Sequence, residues 1–135
     1  MRLLVVEDET ATSAAVRRLL EAEGAHVQVA ASVSGAAEAY RVQRPDLILC
    51  DIGLPGEDGY SLLRLIRERE ELQSSPRVPA VAVTAFAGRQ DRERALAAGF
   101  DEHLPKPVAP ERLISVLEKI ADTARSASGE EGPPK

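Results

Sequence analysis

Carboxylates follow two short apolar runs of the chain, at the point where each run ends. The run Leu47–Cys50 is followed directly by Asp51. The run Leu3–Val6 is followed by Glu7 and Asp8. Four or five apolar residues bounded by polar or turn-forming residues are typical of a strand buried on both faces. In open parallel sheets, ligands bind at the carboxyl ends of the strands. These acids are therefore candidates for a chemical site.

Two later strand candidates are also followed by polar residues: the apolar run Val78–Val83 by Thr84, and Phe100–Leu104 by Pro105 and then Lys106. Acids that lie close together repel one another unless a cation compensates for their charge. Oxygen ligands without nearby His or Cys favour magnesium or a similar ion, which is typically bound through carboxylates, waters and phosphate oxygens. A carboxylate beside a metal, an ammonium group and a hydroxyl suits phosphoryl transfer, with the carboxylate as nucleophile.

The elements that must position these side chains alternate strictly along the chain. Strand patterns cover 2–6, 26–30, 47–51, 78–84 and 100–104, and helix patterns cover 10–23, 35–43 with Ser34 as N-cap, about 60–73, 91–98 and a segment from about 110. Strict alternation predicts an α/β fold, a doubly wound five-stranded parallel sheet with five helices. In such a sheet the strand ends gather at one crevice.

Composition excludes several classes of function. The chain has 135 residues, the length of one domain, and only 3% aromatic residues, so it offers no platform for stacking bases. Its net charge of -5 argues against direct contact with nucleic acid. A single cysteine excludes an intrachain disulfide. The sequence shows neither a signal peptide nor a long apolar stretch, so we expect a cytoplasmic protein with no membrane contact.

The end of the chain differs in composition from the rest. Residues 123–135 are rich in Ser, Gly, Glu and Pro. Such segments bury too little apolar surface to offset the entropy of ordering. We therefore predict one domain over residues 1–122 and a disordered tail over 123–135.

Four motifs in this order resemble the receiver domain of response regulators in two-component signal transduction, of the stand-alone or the hybrid-kinase type. The resemblance covers residues 3 to about 120 and implies the flavodoxin-like fold. The motifs are Leu4-Val5-Val6-Glu7-Asp8-Glu9, Leu49-Cys50-Asp51-Ile52-Gly53-Leu54-Pro55-Gly56-Glu57-Asp58-Gly59-Tyr60, Val83-Thr84-Ala85 and His103-Leu104-Pro105-Lys106-Pro107.

The resemblance implies a role for each acid. Asp51 would accept a phosphoryl group from the phosphohistidine of a sensor histidine kinase or a phosphotransfer protein. Asp8, Asp51 and the backbone carbonyl of Gly53 would bind Mg²⁺ directly. Glu7 would act mainly through a bound water.

The resemblance also implies a switch. Lys106 would contact the phosphoryl oxygens, and Thr84 would turn its hydroxyl toward one of them. The family carries an aromatic switch residue three positions before the lysine, and His103 stands there in this chain. The bond before Pro107 is cis in the family, and Gly53 and Phe86 occupy positions that tune the loss of the phosphoryl group.

Two alternative functions are weighed against the signalling switch. A magnesium-dependent phosphohydrolase with an aspartyl nucleophile would need a second acid two residues after Asp51, where Gly53 stands. A phosphate-independent interaction module would be expected to lack site residues. We therefore expect a switch and not an enzyme, with its output to a downstream protein through the fourth helix, fifth strand and fifth helix. The chain leaves open whether activation brings a homodimer.

Overall fold

A computed structural model describes residues 1–54, 56–85 and 88–131, with side chains through residue 122. Within these residues, five strands and five helices alternate. The strands are β1 (Arg2–Val6), β2 (His26–Ala30), β3 (Leu47–Asp51), β4 (Ala80–Thr84) and β5 (Glu102–Pro105). The helices are α1 (Thr10–Ala22), α2 (Val33–Val42), α3 (Gly59–Gln73), α4 (Arg89–Ala98) and α5 (Pro110–Glu131).

All strand pairs of the sheet are parallel, in the order β2-β1-β3-β4-β5. This confirms the predicted doubly wound α/β fold. Every residue of β3 is buried, as expected for the central strand of a sheet that is covered on both faces. Because successive side chains of a strand point to opposite faces, β3 contributes to two cores. Ile48 and Cys50 pack with α2, α3 and α4, and Leu47 and Leu49 pack with α1 and α5.

The strand register brings the polar strand ends to one edge of the sheet. Val6 at the end of β1 is the partner of Cys50, so the residues that follow β1 lie beside Asp51. Thr84 at the end of β4 is the partner of Pro105 in β5. The backbone N–H of Lys106 donates to the Thr84 carbonyl at 2.8 Å, which continues this pairing by one residue.

Some predicted boundaries differ from the structure because backbone N–H groups at the ends of elements donate to side chains or to a helix carbonyl instead of to the sheet or helix ladder. The N-cap of α2 is Ser32, whose hydroxyl accepts the Gly35 N–H at 3.1 Å, and not Ser34. Strand β4 begins at Ala80 because the N–H of Val78 donates to the Glu70 carboxylate at 2.7 Å. The N–H of Phe100 donates to the Ala95 carbonyl of α4 at 3.0 Å and is not available to the sheet, so β5 begins only at Glu102.

Helix α5 extends into the segment whose composition predicts a disordered tail after residue 122. It continues to Glu131, over nine residues that the composition assigned to a disordered tail. A helix that has already begun adds one hydrogen bond for each further residue, and the segment mixes the strong helix formers Ala, Arg and Glu with the weaker Thr, Ser and Gly. Residues 132–135 of the predicted tail lie outside the described residues.

Gly59, at the start of α3, packs directly against the strand that carries Asp51. A Cβ atom at this position would lie 2.8 Å from the Asp51 carbonyl oxygen and 2.9 Å from Cys50 Sγ. We expect Gly59→Ala to lower the free energy of unfolding by about 1–3 kcal/mol, because the backbone of β3 must shift to make room. Denaturant unfolding measures this change.

The control is Gly53→Ala in the same loop, where a Cβ atom meets its nearest neighbour, Asp51 Oδ1, at 4.0 Å. This is ordinary van der Waals contact, so the variant should unfold within about 0.5 kcal/mol of the wild type. Equal destabilisation by both variants would contradict the packing argument.

Candidate functional site

Three carboxylates meet at the carboxyl edge of the sheet. Glu7 and Asp8 stand between β1 and α1, and Asp51 is the last residue of β3. Each offers an oxygen, and these oxygens lie within 4.8 Å of one another. Glu7 and Asp51 are buried, whereas Asp8 is exposed. The sequence therefore predicted the juxtaposition correctly, and the structure adds that two of the acids are withdrawn from solvent.

Both carboxylate oxygens of Asp51 have hydrogen-bond donors. The Gly53 N–H donates to Oδ1 at 3.1 Å, and the Lys106 ammonium donates to Oδ2 at 2.8 Å. The first contact comes from the turn that follows β3, and the second comes from the segment after β5, 55 residues away in the chain. Asp51 is thus held in one orientation at the floor of the site.

Lys106 is shared between two acids, because its Nζ also lies 3.3 Å from Glu7 Oε1. Partial burial alone would lower the pKa of Lys106, but the hydrogen bond and charge of Asp51, together with Glu7, outweigh burial and raise that pKa. The stability that this charge contributes is fully present below about pH 10.4, the ordinary lysine value, and is lost as pH rises through the raised pKa. Lys106 is the internal counter-ion of the acid cluster.

The pKa of Glu7 is raised in the folded protein. Burial raises its pKa, the N–H of Glu9 and the ammonium of Lys106 lower it, and the charge of Asp51 raises it again, with a net upward shift. The Glu9 N–H donates to Glu7 Oε2 at 3.0 Å. Three carboxylates lie in this cluster and Lys106 bridges two of them, so their formal negative charge exceeds the positive charge beside them.

The donor set fits a hard divalent cation. It consists of carboxylate oxygens that are close together, with excess negative charge and one carboxylate facing solvent. Magnesium is bound through one or two carboxylates while it keeps several waters, which an exposed Asp8 permits. The residues present therefore suit the predicted ion.

A cavity of about 530 Å³ opens beside the site, between α1 and the start of α5. Its polar wall carries Glu7, Glu9, Asp51 and Lys106. Its other walls are mostly aliphatic, and they include Ala15, Val16, Val83, Val108 and Leu113. The acids therefore lie at the border between solvent and an apolar recess, where charge is less screened than on an open surface.

The predicted switch residues, Thr84 and His103, lie on the neighbouring strands β4 and β5. Thr84 is buried at the end of β4. His103 is half-buried on β5, and its Nε2 atom is buried without a hydrogen-bond partner in the part of the chain that the structure describes. The peptide bond between Lys106 and Pro107 is cis, as the resemblance implied. Phe86 lies outside the described residues.

The sequence did not predict two groups that hold the acids of the site in place. The N–H of Glu9 orients Glu7, but a backbone amide has no signature in residue type. Gly59 packs against the Asp51 backbone, a contact that the sequence did not predict. The sequence signal that could have identified Gly59 is its position directly after Asp58, at the start of a helix. Asp58 is the N-cap of α3, and its carboxylate accepts the Ser61 N–H at 3.0 Å.

A parallel α/β sheet with clustered acids, a lysine and a hydroxyl at its carboxyl edge defines the class of receiver domains, which are signalling switches and not enzymes of the usual kind. The sequence matches the family described as the response regulator receiver domain over residues 3–118. The chain belongs to this family and is a receiver domain of two-component signalling.

Relatives of very different length share this domain. The polar-differentiation response regulator DivK of Brucella ovis is 34% identical over 122 residues, which cover 90% of this chain and 97% of DivK. The sensor protein GacS of Pseudomonas syringae pv. syringae is 34% identical over 118 residues, 87% of this chain but only 13% of GacS.

Among solved structures, one similar chain is the receiver domain of the sensor histidine kinase PA1611 from Pseudomonas aeruginosa PAO1, described with a magnesium ion coordinated in its active site cleft. It is 36% identical, with a TM-score of 0.78, and the match covers 89% of this chain and 97% of that one. Among the described residues of this protein, no helix has the length and apolar character needed to cross a membrane.

The raised pKa of Glu7 predicts a pH-dependent effect of Glu7→Gln. An acid with a raised pKa holds its proton more tightly in the folded state, so ionisation lowers stability as pH rises from the ordinary value of 4.5 through the folded-state pKa. Without magnesium, Glu7→Gln should therefore have a higher free energy of unfolding than the wild type at neutral pH. The gain should disappear at about pH 4, which denaturant unfolding at both pH values measures.

Glu23→Gln is the matched control, because Glu23 is an exposed acid at the end of α1. Its substitution should change the free energy of unfolding by less than about 0.5 kcal/mol at either pH. A wild type that is more stable than Glu7→Gln at neutral pH without magnesium would contradict the prediction. It would show that the attraction between Glu7 and Lys106 outweighs the cost of burying the Glu7 charge.

Proposed function

We propose that Asp51 is the phosphoryl acceptor of a phosphorylation-dependent switch. The observation that carries this proposal is the pairing of buried Asp51 with Lys106 at 2.8 Å inside a cluster of three carboxylates. A buried acid that served only the fold would be neutralised more simply by one ion pair. Here excess negative charge is gathered around one oriented carboxylate, which suits a site that takes up a cation and a phosphoryl group together.

In the proposed reaction an oxygen of Asp51 attacks the phosphorus of a phosphohistidine on a sensor kinase or phosphotransfer protein. The O–P bond forms as the N–P bond breaks, and the electron pair of that bond returns to the imidazole nitrogen, which takes up a proton from water. The Lys106 ammonium would remain beside the Asp51 carboxylate and donate to the transferred oxygens. The work of the protein is to position these groups and stabilise charge.

Asp8, Asp51 and the backbone carbonyl of Gly53 would hold Mg²⁺, and Glu7 would act through a bound water. Bound magnesium supplies positive charge that neutralises the phosphoryl oxygens during transfer. The exposure of Asp8 and the burial of Glu7 support this division of roles, because the ion keeps several waters on its solvent side. The magnesium in the PA1611 receiver supports the choice of ion.

Phosphorylation would change the protein through Thr84. The modification adds about 1.5 to 2 negative charges and three strong acceptor oxygens at Asp51. The buried Thr84 hydroxyl at the end of the neighbouring strand would donate to one of these oxygens, and His103 on β5 would occupy the space that Thr84 leaves. The altered surface would be formed by α4, β5 and α5, through which the signal passes to a downstream protein.

The first experiment is incubation with Mg²⁺ and acetyl phosphate, followed by intact-mass measurement. We expect a mass gain of one phosphoryl group that is stable to acid and labile to base. Asp51→Asn should show no gain, and Asp8→Asn should be phosphorylated about 10–100 times more slowly, because metal affinity falls when a ligand or its support is lost.

Asp58→Asn is the matched control in the same loop. Asn preserves the N-cap acceptor of α3, so this variant should be phosphorylated at the wild-type rate. A gain that persists in Asp51→Asn would reject Asp51 as the acceptor. If the wild type neither gains mass nor binds Mg²⁺ in a calorimetric titration, the phosphate-independent interaction module takes the place of the switch.

Thr84→Ala separates phosphorylation from the response to it. We expect this variant to gain the phosphoryl group as the wild type does, within about threefold in rate, because Asp51 and Lys106 remain. The backbone amide NMR shifts of β5 that accompany phosphorylation of the wild type should be largely absent. Equal shifts in the two proteins would contradict the role of the Thr84 hydroxyl.

A further inference from the structure

One guanidinium group joins three elements at the edge of the sheet opposite the acid cluster. Arg67 on α3 donates through Nε and Nη2 to the Gly99 carbonyl, at 3.0 and 2.8 Å. Its Nη1 donates to the Val78 carbonyl at 2.7 Å and to the Glu70 carboxylate at 2.9 Å. Its Nη2 also lies 3.4 Å from Asp101 Oδ2. The side chain is only 15% exposed, so these bonds are shielded from water.

The two acids of this network hold the start of β4. Glu70 accepts the Val78 N–H at 2.7 Å, and Asp101 accepts the Ala80 N–H at 2.8 Å. The end of α3, the start of β4 and the turn between α4 and β5 are therefore tied together by charge-assisted hydrogen bonds, which are about twice as strong as neutral ones.

Gly99 is fitted to this contact. It ends α4 in the left-handed conformation, with φ of 114°. A Cβ atom there would lie 2.8 Å from Arg67 Cγ, so the stem of Arg67 packs directly on the glycine. The next residue, Phe100, is buried and contacts Tyr60 edge to face, with 6.5 Å between ring centroids. The carboxyl end of α4 is thus fixed by packing and by hydrogen bonds.

The amino-terminal half of α4 has a different environment. The buried residues of α4 are Ala95 and Ala98, both in its second half. None of the five residues of the first half, 89–93, is buried, and Arg94 at the middle of the helix lies 4.5 Å above the ring of Tyr60 with 60% of its side chain exposed. This half is also the one that follows Thr84 in the chain.

We propose that Arg67 makes the carboxyl end of α4 a fixed end, so that the response of the fourth helix to phosphorylation is confined to its amino-terminal half. This inference rests on the proposed function for the response, but the anchoring itself can be tested in the unmodified protein. Arg67 is a positioning residue, since it lies at the opposite edge of the sheet from the acid cluster.

Amide hydrogen exchange of the full chain by NMR tests the proposal. In the unmodified protein, the amides of 98–101 should exchange roughly tenfold or more slowly than the helix-bonded amides of Arg92–Arg94. Beryllofluoride with Mg²⁺ is a mimic of the phosphoryl group. It should change the amide exchange rates of residues 92–94 and leave those of residues 98–101 within about twofold of their values in the unmodified protein.

Arg67→Lys keeps the charge beside buried Glu70 but loses the planar fork that reaches Gly99 and Val78. We expect this variant to reduce the difference in exchange rate between the two segments to less than about threefold. The change in exchange caused by beryllofluoride should then extend to residues 98–101. Arg77→Gln is the matched control, because Arg77 also donates to the Gly99 carbonyl at 3.0 Å and to Asp101 at 2.8 Å, but without any link to α3 in these contacts. It should preserve the wild-type pattern.

Three results would overturn the anchor: similar exchange in the two wild-type segments, a wild-type pattern in Arg67→Lys, or equal effects of Arg67→Lys and Arg77→Gln. A wild-type response that spreads through 98–101 would overturn its confinement, even with the anchor intact. If beryllofluoride changes exchange nowhere, the proposed function is contradicted and the confined response falls with it, while the exchange difference in the unmodified protein still decides the anchor.

Discussion

The site depends on an imbalance of charge that the fold holds in place. Three carboxylates lie together at the carboxyl edge of the sheet, and Lys106 is the ammonium that bridges two of them. Burial raises the cost of this arrangement, as the upward shift in the pKa of Glu7 shows. Packing elsewhere must offset that cost, and under the proposed function the unneutralised charge would attract a cation and, through it, a phosphoryl group.

The parallel sheet makes this arrangement possible. Its ladder places the end of β1 beside the end of β3, so acids from two distant parts of the chain become neighbours without any local signal that joins them. The same ladder continues into the segment after β5, where the Lys106 N–H bonds to the Thr84 carbonyl. The residue that would sense the modification and the residue that would contact it are therefore tied through one backbone bond.

At the opposite edge of the sheet, the charged side chains are paired. There the charges of Arg67 and Glu70 are paired and hydrogen-bonded to backbone groups, so they hold structure and leave little charge unmatched. The molecule thus combines an edge where charge is in excess with an edge where charge is paired. A switch needs both, because a movement at one end of an element transmits a signal only if the other end is held.

The sequence by itself determined the order and type of the elements, since apolar periodicity and turn residues are local signals. It also placed Glu7, Asp51 and Thr84 at strand ends. Only the tertiary structure decided which atoms meet. Lys106 bonds to Asp51 across 55 residues, and Glu70 captures the Val78 N–H and so delays the start of β4. The physical reason is that hydrogen bonds between distant segments depend on register and packing, which no local pattern of residue types contains.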